Sequence, residues 1–102
     1  MLTMIVRICE MERCMDQASA AVKQMQSALD AFRQAQDSIA LLSAYLGSDE
    51  WRQDLKADEN GLLPPDLKRG VLSEDGIWNL LDDYREVAQQ MNELSQTIID
   101  NK

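Results

Sequence analysis

Residues 45–81, YLGSDEWRQDLKADENGLLPPDLKRGVLSEDGIWNLL, decide the fold of this chain, because they hold most of its turn signals, both tryptophans and both prolines. Gly47 stops whatever helix precedes it, as the left-handed residue past a helix end. Ser48 is then a cap for a short helix, with Asp49 and Glu50 complementing the dipole of its first turn and Asn60-Gly61 ending it. Trp51 and Leu55 share one face of that helix. Leu63 and Pro64 each precede a proline and are pushed toward extended geometry, while Pro65 is expected to open one further turn, through Asp66 to Arg69, that Gly70 closes. Ser73 is the next cap, with Leu72 and Ile77 spaced as a hydrophobic staple and Glu74 and Asp75 in the first turn.

Outward from this block, both flanks read as helix. Before it, Met4, Ile8, Met11, Met15, Ala18, Val22, Met25, Leu29 and Phe32 step by four and three, and the series continues through Gln36, Ile39, Ser43 and Leu46. Cys14, Ala21, Ala28, Ala35 and Leu42 run beside this seam and widen it, which suits a globular bundle better than a two-stranded zipper. Neither glycine nor proline interrupts residues 1–46, so the helix can reach about 65 Å. After the block, Ile77, Leu80, Tyr84, Val87, Met91, Leu94 and Ile98 repeat the same spacing over about 40 Å. The expected architecture is all-α and one domain. It is a long antiparallel, coiled-coil-like helical hairpin: helix about 3–46, short helix and ordered connector 47–72, helix about 74–100.

The unequal lengths leave roughly 25 Å of the first helix without a partner if the last helix alone pairs with it. Two solutions satisfy that shortfall. In one, the connector folds back so that Trp51, Leu55, Leu62 and Leu63 cover Leu41, Leu42, Tyr45 and Leu46, and the last helix continues toward the N-terminus. In the other, two hairpins pair as a homodimeric four-helix bundle.

Composition narrows function mainly by exclusion. Eighteen acidic against ten basic side chains give a formal charge of -8, which opposes nucleic acid and anionic membranes as general partners. Charge is uneven along the chain: residues 73–102 hold seven acids and two bases, so the last helix is the acidic one. The sequence has no histidine, which removes the common nucleophile triads, the HExxH zinc site and the Glu-x-x-His di-iron motif. A calcium loop at Lys56-Ala57-Asp58-Glu59-Asn60-Gly61 fails at Lys56 and at Leu67, and no phosphate-binding glycine loop occurs. Cys9 and Cys14 sit roughly 140° apart on a helix, matching no zinc or redox spacing. They read as spectator thiols in a reducing compartment, and MLTMIVRICE lacks the apolar core of a signal peptide. The expectation is therefore a cytoplasmic protein without metal, cofactor or catalytic residues.

Several runs of the central block resemble one family: Tyr45–Gly47, Ser48–Arg52, Ala57–Glu59, Gly61–Pro64, the ten residues DLKRGVLSED from Asp66 to Asp75, and Leu80-Leu81. They are similar to small bacterial proteins grouped as domain of unknown function 4298, and the likeness extends more loosely through both long helices. It implies a compact helical protein and carries no activity, substrate or site residue.

The candidate interaction surface is Trp51, Arg52, Lys56, Asp58, Lys68, Arg69 and Trp78. Large aromatics dominate binding hot spots, and Trp78, one residue off the last helix's seam, faces either the connector or a partner. The basic residues read first as ion-pair partners that hold the connector down, and second as an anion-binding or enzymatic cleft, provided that they converge. The leading functional expectation is a non-enzymatic module acting on a protein partner or on itself. A small anionic ligand at 52–69 is the alternative, and an acidic mimic of nucleic acid is a weaker one.

Overall fold

A computed structural model describes residues 1–73 and 75–101. It contains α1 (Leu2–Tyr45), α2 (Asp49–Glu59), a 3-10 turn (Gly70–Leu72) and α3 (Gly76–Asp100), with no strand among the described residues. The chain divides into two compact units, Met1–Asp37 and Ser38 onward.

The first unit is a stretch of α1. No acidic residue lies in the first turn of α1 and no basic one in its last, so the helix macrodipole is uncompensated at both ends. Every residue from Met1 to Ala28 is exposed, and in this unit only Leu29, Phe32 and Ala35 are half-buried. Met4, Ile8, Met11, Met15, Val22 and Met25 stand between 41% and 59% exposed. Within this unit, therefore, the row has no cover of its own. At 1.5 Å per residue, the 25 residues of α3 span about 37 Å against about 66 Å for α1, so no single helix of that length reaches along it.

The second unit is organised by two serines used in the same way. At the end of α1, Gly47 takes φ 77°, as the sequence requires of a helix stop. Ser48 Oγ donates to the Tyr45 carbonyl at 2.7 Å and accepts from the Trp51 amide at 3.1 Å, so one hydroxyl closes α1 and opens α2. α2 ends in a Schellman motif: the Gly61 amide donates to Asp58 O and the Leu62 amide to Ala57 O, both at 3.0 Å, with Gly61 at φ 70°. Ser73 repeats the device, donating to Gly70 O at 2.8 Å and accepting from the Gly76 amide at 3.0 Å. Its backbone is extended, at φ -70° and ψ 147°, where it ends the 3-10 turn. The cap position of α3 falls instead at Asp75, whose side chain makes no capping hydrogen bond, so Ser73 acts from three residues ahead of Gly76 and Asp75 precedes the first turn it was expected to join. The placement of Glu74 in the first turn lies outside the described residues.

Between the serines the connector departs from expectation. Its turn is Pro64 to Leu67, closed by the Leu67 amide on Pro64 O at 3.1 Å, and Gly70 begins the 3-10 turn instead of closing a longer one. Pro65 suits the second position of a β-turn as well as the first turn of a helix, and the shorter closure wins.

The core is thin. Among the described residues Leu72, Ile77 and Leu81 are the buried side chains, Ile77 most completely at 3% exposure. Leu72 and Ile77, the pair anticipated as a staple, are both buried. On α3, however, the buried position is Leu81, whereas Leu80, which the seam favours, is exposed. A step of four residues carries Ile77 and Leu81 along one face. Around this core Ile39, Leu42, Tyr45, Leu46, Trp51, Leu55 and Leu63 are half-buried. Leu41 and Leu62 are not covered: they remain 72% and 73% exposed. Leu41 stands about 100° round the helix from Leu42, and Leu62 gives its amide, not its side chain, to the end of α2.

Candidate functional site

Residues 45–81 form an elbow in which three long-range polar contacts fix the connector against α2 and the end of α1. The Trp51 indole Nε1 donates to the Val71 carbonyl at 3.1 Å, tying α2 to the 3-10 turn across twenty positions of sequence. Arg69 makes the second tie. Its Nη1 donates to Asp58 Oδ1, and its Nη2 donates to the carbonyls of Pro64 at 3.0 Å and Pro65 at 3.2 Å. One planar guanidinium thus fastens the end of α2 and both prolines at once, a use that lysine's point charge cannot reproduce. This pair is the least exposed ion pair among the described residues, with side chains 31% and 25% exposed.

The third contact joins Tyr45 to α2: the phenol donates to Asp54 Oδ2 at 2.6 Å. That hydrogen bond, then burial, then the charges of Asp54 and Glu50 raise the Tyr45 hydroxyl from 10.0 to about 12. The shift favours the protonated phenol in the folded state, so its contribution to stability is complete below pH 10 and is lost between pH 10 and about pH 12. With Tyr84→Phe removing the other tyrosine, an alkaline titration followed by tyrosinate absorbance should give a midpoint displaced well above 10. Asp54→Ala should bring it back toward that ordinary value.

Two clefts open on the elbow. The larger, about 520 Å³, is lined by Leu42, Val71, Ile77 and Leu80 with Gly70, Gly76 and Lys68, and is mainly apolar. The smaller, about 250 Å³, runs among Tyr45, Asp54, Leu63, Leu67 and Leu72, with Lys68 and Arg69 on its wall.

The seven candidate residues separate into groups. Asp58 and Arg69 meet, and Trp51 is spent on Val71, so these three hold the elbow together. Arg52 pairs with Asp49 one helical turn away at 3.3 Å, on the surface. Among the described residues Lys56 and Lys68 make no ion pair. Trp78 stays 56% exposed on α3. The condition for an anion cleft was convergence of Arg52, Lys56, Asp58, Lys68 and Arg69, and two of these four cations, Arg52 and Arg69, are engaged by carboxylates. Sequence reasoning missed Tyr45 and Asp54 as a pair. Their separation of nine residues across a helix break has no local signature.

Replacing Arg69 with alanine should destabilise the protein by about 1–3 kcal/mol, since a partly buried carboxylate and two carbonyls lose a charge-assisted donor. Arg69→Lys should recover only part of that loss in a urea melt, because one ammonium does not reproduce the fork.

Among the described residues no group of three or more carboxylates and cysteines is placed to hold a metal ion. Nor is any described helix long and apolar enough to cross a membrane. An all-α chain with an arginine-fastened elbow is thereby defined. It belongs to the family described as Domain of unknown function (DUF4298), which matches residues 8–94. No curated protein and no solved structure matches the chain.

Proposed function

We propose that this protein works by association, as a non-enzymatic module whose long first helix presents its apolar row to another helical surface. The observation that carries this reading is the exposed series Met4, Ile8, Met11, Met15, Val22 and Met25, on a stretch where no residue before Leu29 is even half-buried. Contiguous apolar patches beyond a few hundred Å² are rare on monomers and mark sites of contact. Four of those six residues are methionines, whose unbranched thioethers adapt to irregular partners. The exposed Trp78 on α3 adds a second apolar point. Two free, exposed thiols support a cytoplasmic setting.

Sedimentation of the full chain across a wide concentration range, alone and with host extract, tests the reading. The expected result is a species larger than one chain in at least one arm, lost when a charge is placed on the row. A single-chain species in both arms, unchanged by that charge, would remove it.

A further inference from the structure

The uncovered row of α1 has charged and branched residues at the positions that decide how two helices pair. With Ile8, Met15, Val22 and Leu29 at heptad position a, the d positions are Met4, Met11, Ala18 and Met25. Arg7 then falls at g and Glu12 at e, five residues apart. In a parallel, in-register pair, each g side chain faces the e side chain of the next heptad on the partner, so Arg7 of one helix meets Glu12 of the other, twice by symmetry. The following g and e residues are Cys14 with Ser19, Ala21 with Gln26 and Ala28 with Arg33, which bring no like charges together. An antiparallel pairing of the same row, Met4 against Leu29, sets Arg7 opposite Ala28 and Glu12 opposite Ser19 and forms no ion pair. Branched residues at a, here Ile8 and Val22, also favour two parallel strands.

We infer that the occupant of this row is a second copy of the chain, paired in parallel and in register through Met4–Leu29, with reciprocal Arg7–Glu12 ion pairs setting the orientation. The inference rests on the association reading and deepens it by naming the partner. Cys14, Ala21 and Ala28, all exposed, line the g flank and let the two backbones approach closely. The row lies within the first unit, so the pairing makes no demand on the elbow.

Disulfide trapping tests the arrangement. In a Cys9→Ser/Cys14→Ser background, Met11→Cys and Met25→Cys each place one thiol at a d position. Parallel, in-register helices bring each thiol against its own counterpart, so both variants should oxidise to covalent dimers, and the wild-type chain should sediment as a dimer. Arg7→Glu should weaken dimerisation by about three- to tenfold and the double variant Arg7→Glu/Glu12→Arg should restore it, the range reflecting two exposed ion pairs. A non-covalent dimer in which neither thiol cross-links overturns the parallel arrangement while leaving association standing. A monomer up to high concentration overturns the inference, and amide exchange then separates the two failures. Protection of Leu2–Met25 that appears only in host extract means a different partner, whereas none in either condition removes the association reading too.

Discussion

Gly76→Ala should destabilise the protein by about 1–3 kcal/mol, the usual cost of forcing an atom into a filled site. The sign is opposite to the ordinary one. Gly76 is the first residue of α3, and alanine inside a helix normally gains about 0.5–1 kcal/mol over glycine. Here a β-carbon would be driven against the Gly70 carbonyl oxygen and would stand 2.6 Å from Ser73 Oγ. Both atoms belong to the serine cap, since Ser73 Oγ is held between Gly70 O and the Gly76 amide. Neither can retreat without loosening the 3-10 turn that presents Leu72 to Ile77. Gly70→Ala is the matched control: a β-carbon there meets nothing within 4 Å, and its melt should stay close to wild type. If the two variants unfold at the same urea concentration, the close approach is not structural.

The second large effect concerns α1. Val22→Glu should abolish dimerisation and lower the helical circular-dichroism signal at low concentration. Glutamate is intrinsically a better helix former than valine by a few tenths of a kcal/mol, so on a helix with nothing across from it the substitution is neutral or mildly favourable. Opposite a partner, the same side chain buries an unpaired carboxylate, at a cost of several kcal/mol. The direction of the change therefore reports whether the row is covered. Ser27→Glu, on the outer side of the same helix, adds the same charge and should leave the sedimentation behaviour unchanged.

Much of the elbow is legible in the sequence because its devices are local. Gly47 and Gly61 announce helix ends, Ser48 and Ser73 announce helix starts, and Leu72 with Ile77 announces the staple. Each depends on residues within five positions and on one preferred backbone geometry. Arg69 with Asp58 is legible only as one choice among several acids. What selects Asp58 is the Schellman end of α2 next to the Pro64–Leu67 turn, which brings the carboxylate and two proline carbonyls into reach of one guanidinium. The pairing of Tyr45 with Asp54 depends on how the chain turns at Gly47. The close approach at Gly76 likewise depends on where a 3-10 carbonyl ends up, which periodicity does not encode. Heptad reading also places Leu80 inward. It counts steps of three and four without regard to the face that the 3-10 turn covers, and that face selects Leu81. The seam of α1 is itself plain in the sequence, yet its exposure is not, because an apolar row looks the same whether its cover comes from its own chain or from another.

The position of the core in the chain has a consequence for biosynthesis. Leu72, Ile77 and Leu81 lie within ten positions of one another, so their mutual packing closes short loops and should form quickly once all three are present. A ribosome adding residues in order delivers them only after α1 and α2. Until Leu81 is added, the interior of the elbow is incomplete, whatever helix has already formed ahead of it.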